Sequence, residues 1–202
     1  MRILISITFL LSALINHAQL EFAGGYGYTF GARAPILGGN ARISDGSLFH
    51  FGLNYYLDED YSIEISYNYQ ELIGSARSSF WNFDVRDNIR INYILLGGNR
   101  HFDVSDKLIL YSGLKAGILN ISSIQDNFRS RTKLALGLNG GARYFITDNL
   151  GCKLQFQLFF PITDVGASLW WSSGGGTSVG VTSSSPFAQF GTFMGLFYRL
   201  PY

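Results

Sequence analysis

Eight segments of about ten residues recur along this chain, and in each of them apolar residues alternate with polar or small ones. A period of two residues is typical of β-strands whose two faces meet different environments. The chain also ends inside such a segment. The free edge of its last strand must therefore pair with another strand, and the first strand is the natural candidate. These observations predict an all-β fold, a single eight-stranded antiparallel up-and-down transmembrane β-barrel.

The composition favours a wall that faces lipid. Charged residues make up 14% of the chain, against roughly 25% in soluble domains. Aromatic residues reach 16%, and there are 24 glycines. No segment beyond the amino terminus is apolar over the length of a membrane-spanning helix, so a membrane protein with this sequence must cross the bilayer with strands.

Residues 1–18 are predicted to be a secretory signal peptide that is cut after Ala18 or Gln19. A short charged start precedes an apolar run of 13 residues, Ile3–Ile15. This run is too short to cross a bilayer as a helix, and Ala18 supplies a small residue for cleavage. The alternative is a buried amino-terminal helix.

The remaining residues, 19–202, are predicted to form one barrel domain without net charge. Loss of the signal peptide removes Arg2 from the 15 basic residues, so 14 bases balance 14 acids. This balance argues against nucleic acid as a partner and against an overall electrostatic attraction to anionic lipid. A single cysteine, Cys152, excludes an internal disulfide and a cysteine-rich metal site. We expect no cofactor.

In chain order, the predicted strands are Leu20–Phe30, Leu48–Leu57, Tyr61–Ile73, Asn88–Phe102, Lys107–Ile118, Thr132–Phe145, Leu150–Phe160 and Phe187–Tyr202. Most of them alternate clearly, with large apolar side chains predicted to point outward and polar or small ones inward. The seventh strand is an example, because Leu154 and Phe156 oppose Lys153 and Gln155.

The fourth predicted strand is the least regular. Its residues Ile89, Ile91, Tyr93 and Leu95 indicate one outer face, although Ile94 and Leu96 on the other face are apolar too. The pair Gly97-Gly98 is consistent with a bulge that changes the phase of the residues that follow it.

The breaks between strands alternate between short and long. Asp58–Asp60, Val104–Asp106 and Thr147–Asn149 are short and rich in turn residues. The long breaks are Gly31–Ser47, Leu72–Asp87, Leu119–Arg131 and Pro161–Pro186. Bacterial outer-membrane barrels have short periplasmic turns and long outside loops, so both termini are expected in the periplasm.

Two stretches carry a family resemblance. The run Leu138–Phe160 resembles the sixth strand, turn and seventh strand of small outer-membrane β-barrel proteins of the OmpA/OmpX-like type. Gly195–Leu200 is similar to the closing strand that the outer-membrane assembly machinery recognises in them. The sequence departs from that pattern in the Pro201-Tyr202 that follows.

The resemblance implies a place in the cell outer membrane, with outer-membrane lipid and the assembly machinery as partners. The candidate assembly signal is the apolar face of the last strand, Leu196, Tyr198, Leu200 and Tyr202. The resemblance does not supply a ligand or an activity.

The interior is predicted to hold a polar network with more bases than acids. Its inward residues are Glu21, Glu64, Arg90, Lys115, Lys133, Arg143, Lys153 and Arg199. One hypothesis is an anion-selective lumen, and the other is a plug of paired side chains. The plug is favoured, because an eight-stranded barrel is only wide enough for side chains to fill it.

Two further groups are candidates for function. His50, expected in the interior near the outer rim, has Ser47 and Asp45 nearby, but no catalytic spacing supports it. Trp170 and Trp171 precede a Gly/Ser-rich segment in the longest break. They predict a contact surface for a protein, lipid headgroup or glycan partner. The alternative is that they pack on neighbouring loops.

The leading functional hypothesis is a non-enzymatic barrel that displays long loops for adhesion, surface protection or docking to a larger outer-membrane assembly. The alternatives are a small channel for hydrophobic or anionic solutes and, third, a lipid-modifying envelope enzyme that uses His50.

The signal peptide and the eight segments generate a prediction about location. The mature chain should begin at Gln19 or Leu20 and fractionate with the outer membrane, and unboiled samples should migrate differently from boiled ones in detergent gels. Amino-terminal sequencing and membrane fractionation measure these outcomes, and a soluble periplasmic product would contradict them.

Overall fold

The computed structural model describes residues 19–36, 39–78, 83–125, 130–162, 167–171, 177–181 and 188–201. Its strands are β1 (Gln19–Thr29), β2 (Ala32–Ile36), β3 (Gly39–Ile43), β4 (Gly46–Tyr56), β5 (Tyr61–Ser78), β6 (Phe83–Ser105), β7 (Leu108–Ser123), β8 (Arg131–Phe145), β9 (Leu150–Ile162), β10 (Ala167–Trp171), β11 (Thr177–Val181) and β12 (Gln189–Arg199). Within these ranges no helix has the length and apolar character needed to span a bilayer. The predicted signal peptide and Tyr202 lie outside the described residues.

Eight of these strands close into an antiparallel ring. Around the ring the order is β1, β4, β5, β6, β7, β8, β9 and β12, and β12 pairs back to β1. The seam runs from Glu21 opposite Arg199 to Thr29 opposite Gly191. At Gly195 a side chain would overlap the backbone of β1, so glycine permits the close approach that closure needs. The predicted fold class and closure are confirmed.

The two ends of the barrel differ. At one end, the turn end, β4–β5, β6–β7 and β8–β9 are joined by tight turns such as Asp58–Asp60. At the opposite end, the loop end, β5 and β6 continue past the wall as far as Ser78 and Phe83, and β3 pairs with β5. Strands β10 and β11 form a separate two-stranded sheet.

Each of the four long breaks contains strand residues that the sequence did not predict. Leu72–Asp87 was predicted as a break, yet β5 and β6 remain paired across most of it. The strands project beyond the wall there. Lipid no longer imposes an apolar face on the projecting part, so the alternation that identifies a wall strand is lost.

The outward face of the wall carries exposed apolar and aromatic side chains around the ring. They include Phe22, Tyr26, Phe49, Phe51, Ile63, Ile65, Tyr67, Leu96, Leu114, Leu136, Phe156, Met194, Leu196 and Tyr198. An apolar surface of this extent marks contact with a membrane rather than with water. The outward assignments made for the first, second, third, seventh and last predicted strands agree with the structure.

The face assigned to the fourth predicted strand, now β6, was wrong. Ile89, Ile91, Tyr93 and Leu95 are buried inside the barrel, whereas Leu96 is 57% exposed on the wall. Both faces of this strand are apolar because its inner face packs into an apolar core, and periodicity alone does not show which apolar face meets lipid.

The expected bulge at Gly97-Gly98 was also wrong. Pairing of β6 with β5 and β7 continues through both glycines, and the register shifts only between Asp103 and Ser105. Gly97 faces inward, where a Cβ would overlap the backbone of Leu114 and Lys115. The glycine therefore allows a close approach of β7 rather than a change of phase.

The outward face of the wall predicts which residues lie near the midplane of the membrane. The outward series runs from Phe190 on β12 to Leu200 just after its end, and Leu196 lies near the middle of this series. Leu196→Arg should lower the free energy of unfolding by about 2–4 kcal/mol, and the matched control Leu200→Arg at the turn end by about 0–1 kcal/mol. Urea titration of the barrel in lipid vesicles measures both values. Equal costs for the two variants would contradict the assigned position of the membrane.

Candidate functional site

The interior holds two charged clusters. Five of the predicted interior residues are buried there with no more than 5% exposure: Glu21, Glu64, Lys115, Arg143 and Lys153. Arg199 lies at the turn end with its side chain 14% exposed. Each is placed by the alternation of its own strand, which turns every second side chain into the barrel.

Glu21 is the centre of the cluster at the turn end. Its Oε1 lies 3.2 Å from Nε of Arg143, and its Oε2 lies 3.3 Å from Nη2 of Arg199. The Tyr56 hydroxyl donates to Glu21 at 2.8 Å and accepts from Arg143 at 2.6 Å and from Arg199 at 2.7 Å. One carboxylate and one phenol therefore hold two guanidiniums, and Glu21 pairs with Arg199 across the seam.

Glu64 is the centre of the second cluster. Its Oε1 lies 2.8 Å from Nζ of Lys115, 3.6 Å from Nζ of Lys153 and 3.6 Å from Nε2 of His50. Its other oxygen accepts a hydrogen bond of 2.7 Å from Asn99. A buried carboxylate requires this density of partners, because an unpaired charge in a dry interior is very costly.

Asparagines connect the two clusters. Asn54 donates to Glu21 at 3.4 Å, and Asn99 donates both to Asn54 at 3.3 Å and to Glu64 at 2.7 Å. Asn139 then donates to Asn99 at 2.8 Å. The charged groups of the turn-end half thus belong to one continuous polar network.

Several contacts cross the full width of the barrel. The ring order places β9 opposite β5, β8 opposite β4 and β12 opposite β6. Lys153 on β9 reaches Glu64 on β5, and Arg143 on β8 reaches Tyr56 on β4. Side chains from opposite walls therefore meet in the interior at these levels, as expected for a barrel of this width.

An apolar layer lies in the interior toward the loop end of this network, beside the buried amides of Gln70 and Gln189. It consists of Leu72, Ile89, Ile91, Tyr93, Leu95, Leu119, Ala135 and Phe159. The rings of Tyr93 and Phe159 stack with centroids 4.2 Å apart, and the Tyr93 hydroxyl donates across the barrel to Gln189 at 3.4 Å. Four of its members, Ile89, Ile91, Tyr93 and Leu95, were predicted to lie on the outer face, so the sequence did not reveal this layer.

Two of the predicted interior bases have different surroundings. Arg90 points outward, because the phase of β6 is opposite to the predicted one, and its guanidinium lies 3.6 Å from Glu71 with about half of each side chain exposed. Placing Arg90 inside was therefore wrong. Lys133 shares the inward phase of Ala135 near the loop end of β8 and is partly buried.

The histidines are buried structural groups in this arrangement. His50 does not lie at the rim: it is 4% exposed, stacks on Phe193 with centroids 4.0 Å apart and contacts Asn68 at 2.8 Å. His101 contacts Ser62 at 2.8 Å and Arg143 at 3.2 Å. No group of three His, Cys, Asp or Glu side chains suited to a metal ion occurs among the described residues.

Trp170 and Trp171 lie on β10, where they pair with Ser178 and Thr177 of β11. On the closing strand, Leu196 and Tyr198 point outward, and Leu200 extends the pairing through a hydrogen bond of 2.8 Å from its N–H to the carbonyl of Leu20. Pro201 is exposed beyond the end of β12.

The uncharged members of the network were not identified individually from the sequence. Tyr56 and Asn54 occupy inward positions in a predicted strand, which is the available signal, whereas Asn99 lies on β6, whose phase was predicted wrongly. Their partners lie on other strands, and Asn99 is 35 residues from Glu64. Alternation gives the direction of a side chain but not the group that it meets.

A family model described as Outer membrane protein beta-barrel domain matches residues 5–191. Neisserial surface protein A is 14% identical with a TM-score of 0.60, over 91% of this chain and 99% of that one. Pseudomonas aeruginosa OprG is 8% identical with a TM-score of 0.63, over 92% and 97%. Yersinia pestis Ail, solved in complex with the heparin analogue sucrose octasulfate, is 13% identical with a TM-score of 0.52, over 91% and 99%. At these identities the likeness shows the fold alone. A comparison with curated proteins finds no match.

The buried cluster generates a stability prediction. Glu64→Gln removes the carboxylate from Lys115 and Lys153 and should lower the free energy of unfolding by about 3–5 kcal/mol, the usual cost of an uncompensated buried charge. The matched control Glu71→Gln breaks an exposed pair with Arg90 and should cost less than about 1 kcal/mol. Urea titration in lipid vesicles measures both, and similar costs would show that the Glu64 cluster is solvated.

Proposed function

This chain belongs to the outer membrane protein beta-barrel domain family, and from that premise we propose that it is a non-enzymatic scaffold in the outer membrane. Its rigid wall anchors the loop end, which is the surface for adhesion or for docking to a larger outer-membrane assembly. Loops on a rigid scaffold are where binding residues concentrate.

The filled interior is the observation that carries this proposal. An apolar layer around Tyr93 and Phe159 lies above a network in which Lys153 and Arg143 contact the opposite wall. A solute would have to displace packed side chains and to break buried ion pairs, which disfavours the channel alternative. The surface outside the wall then remains as the place for function.

The surroundings of His50 argue against an enzyme. A general base must reach a proton of the substrate, but His50 lies between Phe193, Asn68 and Glu64 inside the barrel. Ser47 and Asp45, the predicted neighbours, make no hydrogen bond to it in the described part of the chain. We therefore assign His50 a structural role in the Glu64 cluster.

The difference between the two ends supports an orientation. Short turns at one end and projecting strands at the other match the usual arrangement of outer-membrane barrels, with short periplasmic turns. The turn end and both termini are then periplasmic, and the loop end is extracellular. In the same proposal, Leu196, Tyr198 and Leu200 with the terminal Tyr202 serve as the signal for the outer-membrane assembly machinery.

Conductance is the direct test of this function. The wild-type barrel in a planar lipid bilayer should show no single-channel steps, because the interior is filled. A variant with Tyr93→Ala and Phe159→Ala serves as a comparison in which the apolar layer has been opened. Regular conductance steps from the wild-type protein would contradict the scaffold role and favour the channel.

The loop segment gives a second prediction. Deletion of Gly174–Ser184, which removes β11, together with Trp170→Ala and Trp171→Ala should leave the eight-stranded ring folded, because changes in the length of a connection cost little free energy. Binding of the native surface partner should weaken, as measured by recovery of the partner from outer membranes. The interior variant Lys115→Gln is the control that should keep the partner. Loss of the partner in the control alone would place the function inside the barrel.

A further inference from the structure

Three arginines form one row on the sheet that projects at the loop end. Arg33 on β2 pairs with Arg42 on β3, Arg42 pairs with Ser75 on β5, and Ser75 pairs with Arg86 on β6. Residues directly opposite each other on antiparallel strands lie on the same face. Ser75 has the same phase along β5 as the outward residues Ile65 and Tyr67, so the row lies on the outward face.

The arginines of this row have no acidic partner among the described residues. Arg33, Arg42 and Arg86 are exposed, and none of the ion pairs in that part of the chain includes them. Nearby acids are engaged elsewhere: Glu71 lies against Arg90, and Asp45 accepts a hydrogen bond from the Gly31 N–H at 2.7 Å. Like charges directly opposite destabilise a sheet. The fold alone therefore gives no reason for Arg33 opposite Arg42.

A cavity lies within the row. It has a volume of about 380 Å³ and is lined by Arg42, Ser44, Ile73, Ser75 and Arg86. The Ser44 hydroxyl accepts from the Ile73 N–H at 2.9 Å and donates to the Asp45 carbonyl at 2.9 Å. The Ser75 hydroxyl makes no hydrogen bond to another described residue, so it is available to a ligand. Two guanidiniums and a hydroxyl around one cavity suit a phosphate group.

The length of the row indicates a ligand with more than one anionic group. Four adjacent strands contribute to it, and three strand spacings span roughly 14 Å. Arg33 and Arg42 are direct neighbours, whereas Arg42 and Arg86 lie on either side of Ser75. A single small anion would engage only part of this arrangement, while a sugar that carries several phosphates would reach across it.

The height and direction of the row indicate where that ligand lies. Ser75 is six residues beyond Tyr69 on β5, which is about 20 Å along the strand. Ile73, the last apolar residue on this face of β5, lies two residues before Ser75 and lines the cavity, so the row lies at the upper edge of the apolar wall. Because the row is on the outward face, it faces sideways over the membrane surface. With the orientation given under the proposed function, the nearest molecules on this side are the headgroups of lipids in the outer leaflet.

We propose that Arg33, Arg42 and Arg86 bind the phosphorylated saccharide headgroup of a glycolipid next to the barrel. Arg42 and Arg86 hold one phosphate over the Ser75 hydroxyl, and Arg33 contacts a second anionic group. The bound headgroup offsets the repulsion within the row and fixes the projecting sheet against the membrane surface. This inference rests on the proposed orientation but not on the Trp170-Trp171 segment.

The test uses the full-length mature barrel in phosphatidylcholine nanodiscs that contain a bisphosphorylated glycolipid. Wild-type protein should retain this glycolipid, and enzymatic removal of its phosphates should weaken retention at least tenfold. The double variant Arg42→Gln and Arg86→Gln should also bind the bisphosphorylated form at least tenfold more weakly. Its unfolding midpoint without glycolipid should equal or exceed that of the wild type, because the like charges are gone.

Arg100→Gln is the matched control, because Arg100 is exposed on β6 near the turn end, where it lies over the rings of Tyr61 and Phe102. It should keep wild-type retention. Equal retention by the double variant, or equal retention of the dephosphorylated glycolipid, would overturn the inference. Binding of soluble heparin without retention of the glycolipid would also overturn it, in favour of a sulfated glycan. None of these results bears on conductance, so the scaffold proposal stands or falls separately.

Discussion

The burial of Glu64 and Glu21 is the constraint on which the rest of this structure depends. An eight-stranded barrel leaves no room for bulk water, so each inward charge must find its partner among side chains of other strands. Lys115 and Lys153 meet at Glu64, and Arg143 and Arg199 meet at Glu21. The second group also joins β8 and β12 to β1 at the seam. The same contacts therefore close the barrel and fill it.

The interior carries a charged network toward the turn end and an apolar layer toward the loop end, and this arrangement has a functional consequence. Apolar side chains around Tyr93 lie on the loop side of the polar network. The ion pairs are therefore in surroundings of low dielectric constant, where Coulomb attraction is strong. An interior packed in this way is rigid, as the core of a soluble protein is. What remains for function is the projecting sheet of β2, β3, β5 and β6, whose outer face is basic, and the β10–β11 segment.

Much of the fold was predictable because lipid imposes a strict pattern on each wall strand. The strand order, the closure and the direction of Glu21, Glu64, Lys115, Arg143, Lys153 and Arg199 all follow from alternation. The phase of β6 was not predictable, since its inner face carries Ile91 and Leu95 and is as apolar as its outer face. The arginine row was not predictable either. Arg33, Arg42 and Arg86 are far apart in the sequence, and only the strand register brings them together.

The central claim, that the interior is sealed at the loop end, is tested most directly by thiol accessibility. In a Cys152→Ser background, Ala135→Cys places a thiol in the apolar layer, where Ala135 is 1% exposed, and Ala188→Cys places one at an exposed site. A water-soluble maleimide should label Ala188→Cys rapidly in the folded barrel and should label Ala135→Cys only after unfolding. Labelling of both thiols at similar rates in the folded protein would show that water passes through the interior, and the sealed barrel would be wrong.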